Sequence, residues 1–161
     1  MATPSDNESN KKDTLLSLLA TINNGLQDLL GRGANGIIFN TGVEEGRRIA
    51  KDLPKTDTIH KAVESVNEAY HGVWKVELHN SGEEGHFFID EFDQPSFRVM
   101  VRDCPVRAAV TEKDLKQEGP LCYLTNGYLC GMLSTILNEN VGMEIEHAGP
   151  LACRKRVFFR E

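Results

Sequence analysis

Met1 to Lys12 is polar and has almost nothing to bury, so it reads as a disordered leader. Beyond it leucine and isoleucine recur at helical spacing, at Leu15, Leu16, Leu19, Ile22, Leu26, Leu29 and Leu30. That spacing predicts a helix capped by Asp13 or Thr14 and stopped at Gly31. Gly31 to Gly36 predicts a turn, followed by a short apolar piece over Ile37-Ile38-Phe39. Helical segments are expected over residues 43–53 and 58–70, with Pro54 separating them and Asp57 as a cap.

The period then changes from that of a helix to that of a strand. Val73 to His79 alternates, Asn80 to Gly85 reads as a hairpin loop, and residues 86–92 and 97–102 read as the next two strands around a tight connection at Asp93 to Pro95. Residues 103–119 read as irregular or partly helical. Pro120 can open a helix at its first turn, carried on by residues 121–137. Residues 141–147 and 153–159 form the last two strands around the turn His147-Ala148-Gly149-Pro150. Hairpin-joined strands with helices before and between them predict an α+β fold, an antiparallel sheet with helices packed over one face. One domain, over residues 13–161, suffices for a chain of 161 residues.

Eighteen Lys and Arg against 24 Asp and Glu give a net charge of -6, the opposite of the basic excess that nucleic-acid binding needs. No window reaches the roughly 18 consecutive apolar residues of a spanning helix. No secretory signal is visible at the amino terminus, so a cytoplasmic location is expected. The four cysteines, Cys104, Cys122, Cys130 and Cys153, are then thiols or metal ligands rather than a disulfide framework.

Gly31, Gly33 and Gly36 match the G-x-G-x-x-G pattern, but a dinucleotide site needs a strand before it and a helix after it. Here a leucine-rich helix comes first, so the glycines read as a turn. In helix 121–137, Gly127 and Gly131 share one face. Each costs about 1 kcal/mol relative to alanine, so the face must serve close packing, of helix on sheet or of a flat ligand against a pocket wall. Cys122 and Cys130 lie roughly 12 Å apart along the helix and cannot share an ion comfortably. Cys130 therefore reads as a buried small hydrophobe. Near the carboxyl terminus Glu144, Glu146, His147 and Cys153 fall within ten residues, and Cys122 could join them as a zinc ligand. Strand alternation opposes this, because Glu144 and His147 face opposite sides of an unbroken strand.

Three passages, taken in order, resemble one family. They are Leu30-Gly31-Arg32-Gly33-Ala34-Asn35-Gly36-Ile37 with Gly42 and Gly46; Pro120-Leu121-Cys122-Tyr123-Leu124-Thr125-Asn126-Gly127-Tyr128-Leu129-Cys130-Gly131; and Val141-Gly142-Met143-Glu144-Ile145-Glu146-His147 with Cys153 and Val157-Phe158-Phe159. Together they resemble the 4-vinyl-reductase domain family. The resemblance implies an α+β domain enclosing an apolar pocket that binds a hydrophobic small molecule. It also implies a zinc ion, whose ligands would fall on Cys122, Glu144, His147 and Cys153, with His147 where the family's phenol-sensing branch has a cysteine. A homodimer and a protein partner in pigment or photosystem assembly are further implications. The ATPase and helix-turn-helix modules of that branch do not fit in this length, which leaves a stand-alone carrier, sensor or assembly factor.

The expected activity is non-enzymatic binding of a hydrophobic or aromatic molecule, a tetrapyrrole such as a bilin or chlorophyll precursor among the candidates. Trp74, Phe88, Met100, Gly127, Tyr128, Gly131 and Met132 are the candidate lining residues, with His71, His79 or His86 for a polar contact. The alternatives are a reductase acting on a tetrapyrrole vinyl group, for which the chain carries no nicotinamide or flavin fingerprint, and a ligand-free interaction protein.

Overall fold

The computed structural model describes residues 4–31, 33–71, 74–79, 88–89, 94–114 and 117–160. In chain order the elements are α1 (Pro4–Leu30), α2 (Gly33–Ala50), α3 (Ile59–Ala69), β1 (Lys75–Leu78), β2 (Phe88–Ile89), β3 (Pro95–Arg102), α4 (Pro105–Glu112), α5 (Pro120–Leu137), β4 (Val141–Ala148) and β5 (Ala152–Phe159). The strands form one antiparallel sheet in the order β1-β3-β5-β4, with β2 also paired to β3. The α+β class is the one expected from the pattern.

The two faces of the sheet differ in chemistry. Val76, Phe97, Val99, Val101, Val141, Met143 and Val157 are buried and join the core with α3, α4 and α5. The opposite face carries ion pairs: Arg98 and Arg154 on Glu146 at 2.8 and 2.9 Å, Arg156 on Glu144 at 2.5 Å, and Arg102 on Glu77 at 3.0 Å. Period-two alternation thus separates an oily face from a charged one.

The helix α5 is buried on nearly every side, as expected for a helix with little polar surface. One side meets β4 and the other packs along α2. Four glycines make that second contact. A Cβ added at Gly42, Gly46, Gly127 or Gly131 would come within 2.1–2.3 Å of a backbone carbonyl on the facing helix. The face of Gly127 and Gly131 therefore serves close backbone packing, as expected, but against α2 rather than the sheet.

Several boundaries differ from those expected. The leader is not wholly irregular: α1 runs from Pro4, and Thr14 lies inside it, its hydroxyl donating to the Asn10 carbonyl at 2.8 Å rather than capping. Residues 8–14 are exposed, so this extension adds helix without adding core. Gly31, with φ of 54°, ends α1 in the left-handed region, but Gly33 already opens α2. Residues 33–42 are therefore helical instead of a turn and an apolar piece. Residues 103–119 contain α4, begun by Pro105 in its first turn.

The strands β1 and β2 do not form a hairpin with each other. Val76 pairs with Val101 and Phe88 with Ser96, so both lie along the same edge of β3, running in one direction. The predicted loop at Asn80 to Gly85 lies outside the described residues, as do His86 and Asp93.

Candidate functional site

The end of α3 and the start of β1 are tied together by one side chain. The Asn67 amide donates to the Val76 carbonyl and its oxygen accepts from the Val76 N–H, both at 2.8 Å. His71 closes the helix with φ of 48°. This clamp sets Tyr70 and Trp74 side by side, ring centroids 4.3 Å apart and planes inclined by 37°. From α5, Tyr128 meets Trp74 edge-on at 6.3 Å and 80°. Tilted and edge-on arrangements are those in which aromatic quadrupoles attract.

Two polar atoms in this aromatic cluster have no hydrogen-bond partner among the described residues: the Tyr70 hydroxyl and Trp74 Nε1, both buried. An unsatisfied buried donor costs about 1–3 kcal/mol, so such atoms call for an explanation. Burial pushes the Tyr70 hydroxyl well above the usual tyrosine range, with Tyr128 and Glu45 adding to the shift. It therefore stays protonated and can donate. Burial likewise raises Tyr128, with Glu45 adding to the shift and Arg48 opposing it. The Glu45–Arg48 pair, Nε to Oε2 at 2.7 Å, thus lies at the charged edge of the cluster.

Of the residues expected to line a pocket, Trp74 and Tyr128 meet here. Tyr70, read beforehand only as a helix end, completes the group. Met132 is fully buried in the core. Met100 alternates with Arg98 and Arg102 on the charged face of the sheet, which removes it from the interior. Gly127 and Gly131 face α2. The Phe88 side chain and His86 lie outside the described residues. His71 is exposed, and His79 is placed by its backbone N–H donating to the Arg98 carbonyl at 2.9 Å.

The four residues expected to hold zinc are divided between the two faces of the sheet. Cys153 faces inward with Lys155 and Val157 on β5, and Cys122 lies at the first turn of α5 close enough to interact with it electrostatically. Glu144 is exposed on the other face against Arg156. His147 is also exposed, because the register shifts between Ile145 and His147, pairing His147 with Arg154. Among the described residues no group of three or more His, Cys, Asp or Glu is arranged to hold a metal ion. The donor set does not fit a four-ligand zinc site in this geometry.

A lysine occupies the space among the thiols instead. Lys155 is buried on β5 and its Nζ donates to Asn126 Oδ1 on α5. Burial lowers its pKa, while Cys104, Cys153 and Cys122 oppose that shift. Burial also raises Cys122 and Cys153, with Lys155 pulling both back. Both shifts favour uncharged groups: amine on one side, thiols on the other. Cys130 stands apart and donates its thiol to the Val141 carbonyl at 3.1 Å, as suits a small core residue.

No helix among the described residues is long and apolar enough to cross a membrane. No protein-family profile matches the chain, and no curated protein matches it in sequence. In three dimensions the chain is similar to the crystal structure of the phenol-responsive sensory domain of the transcription activator PoxR with phenol. The two superpose with a TM-score of 0.61 at 17% identity, over 92% of this chain and 74% of that one, a likeness of fold.

Proposed function

We propose that this protein binds a small aromatic molecule carrying an oxygen acceptor at the Tyr70–Trp74–Tyr128 cluster, acting as a sensor or carrier without chemistry on the ligand. The observation that carries this reading is the pair of buried donors without partners among the described residues, set among apolar rings. The rings would supply stacking and dispersion, while the Tyr70 O–H and the Trp74 N–H would each donate to the ligand oxygen. A structural neighbour of the same fold, crystallised with phenol, supports the chemical class.

Trp74 is the chain's one tryptophan, so intrinsic fluorescence reports on this place alone. Titration with phenol is expected to change that emission saturably. Benzene, which lacks the acceptor and so forfeits both hydrogen bonds, should bind at least about tenfold more weakly. Tyr70→Phe should narrow the gap between the two compounds while leaving the circular dichroism unchanged. Equal binding of phenol and benzene, or no saturable change with either, would remove the cluster as the site.

A further inference from the structure

A cavity of about 340 Å³ lies between the second half of α1, the start of α2 and the segment leading into α5. It shares no lining residue with the aromatic cluster. Five carboxamides line it: Asn23, Asn24 and Gln27 on α1, Asn35 on α2, and Gln117 ahead of α5. Glu118, Gly119 and Tyr123 make up the rest of the described wall, which holds no lysine or arginine. Asn23 fixes the inner end. It is 3% exposed, and its Oδ1 accepts from the Leu121 N–H at 3.2 Å, tying α1 to the first turn of α5. A Cβ added at Gly119 would stand 2.8 Å from that oxygen and 2.9 Å from Nδ2, so the glycine lets the chain press against the amide.

Two of the carboxamides are left incomplete. Asn35 Oδ1 and Gln117 Oε1 are buried and have no hydrogen-bond partner among the described residues. Native structures keep few such atoms, and two beside one cavity point to a group that enters it. The terminal torsion of an amide is soft, so a small rotation turns either oxygen toward a donor in the cavity. With the Glu118 carboxylate, which only accepts, they call for a molecule with several donors. The amide nitrogens are donors themselves, so the molecule must accept as well. A hydroxyl does both, donating one hydrogen bond and accepting two. A flat heterocyclic base suits the wall less, since it needs apolar surface against both faces and the described wall offers one ring, Tyr123. A puckered ring edged with hydroxyls needs only one.

We propose that this cavity binds a small polyhydroxylated ring, a monosaccharide or a cyclitol, with Asn35 and Gln117 accepting from its hydroxyls. The side-chain amide signals of these two residues in an amide-correlated NMR spectrum report on the cavity directly. Separate titrations with D-glucose, D-ribose and myo-inositol should move them saturably, in the millimolar range, for at least one of the three. Which compound does so separates sugar from cyclitol. Cyclohexanol, the ring of myo-inositol with a single hydroxyl, should bind at least about tenfold more weakly. The indole N–H signal of Trp74 should stay in place, because it belongs to the other cluster. Asn35→Leu should weaken binding about tenfold, whereas Asn35→Asp, which keeps an acceptor, should stay within about threefold of the wild type. Gln117→Leu repeats the loss at a position outside every helix, and circular dichroism should be unchanged in all three variants. Adenine is the probe for a flat base. No saturable movement with any of the three polyols up to about 100 mM, movement with adenine instead, or undiminished binding by both leucine variants would overturn the proposal.

Discussion

Replacing Gly131 by alanine is expected to destabilise the protein by about 2 kcal/mol, although alanine is the better helix former by about 1 kcal/mol. The new Cβ would stand 2.1 Å from the Val43 carbonyl oxygen and 2.9 Å from its carbon. Both are backbone atoms and cannot rotate away as a side chain can, so α2 has to move off α5 as a body. That movement would open the Gly42, Gly46 and Gly127 contacts together, since the four glycines alternate along one seam. For a chain of this size the loss corresponds to a melting temperature lower by roughly 4–8 °C. Gly36→Ala supplies the control. Gly36 lies near the start of α2, where an added Cβ meets nothing within 4 Å, so the same substitution should stabilise by up to about 1 kcal/mol. Opposite signs for one chemical change separate packing from propensity. Equal melting temperatures for Gly131→Ala and the wild type would show that the seam gives way easily.

The same glycines explain where sequence reasoning stopped. The start of α5 was legible because its signal is local, a proline in the first turn, and the structure ends it at a left-handed Asn138 just past Leu137. The start of α2 was not, because Gly33 and Gly36 look like turn residues to any local rule. Their helical state depends on α2 lying along α5, far away in sequence. Strand periods gave the right segments around β1 and β2 but the wrong partner, since only the register of β3 shows the two strands sharing its edge.

At the site, Trp74 and Tyr128 were visible as bulky apolar candidates. The third ring, Tyr70, was hidden by its position at a helix end, and the Asn67 clamp that places it pairs residues from different elements. The zinc assignment took four residues from a motif, yet alternation along β4 and the register shift after Ile145 send Glu144 and His147 to the charged face. Lys155 carried no signal of its own, lying between Arg154 and Arg156 in the last strand. Period-two alternation from the inward Cys153 and Val157 was the signal that places it inside.

That buried lysine leads to a pH-dependent stability. Its folded-state pKa is depressed while in the unfolded chain it keeps the ordinary lysine value near 10.5, so between the two the unfolded state binds the extra proton. Stability contributed at this position is therefore complete above the ordinary value and is lost as the pH falls toward the depressed one. The slope is up to about 1.4 kcal/mol per pH unit, one proton's worth. The buried thiols act in the opposite direction. Cys122, Cys130 and Cys153 are raised above the ordinary value of 9.0, so stability drops once the unfolded thiols begin to ionise near that value. The lysine is thus read cleanly between about pH 7 and pH 8.5, below the thiol range. Lys155→Met keeps the length of the side chain and removes the titration, while both proteins retain the same thiols. Urea unfolding of the two across this window should show wild-type stability rising with pH relative to the variant. Parallel pH profiles would mean that Lys155 keeps its proton when folded across this window.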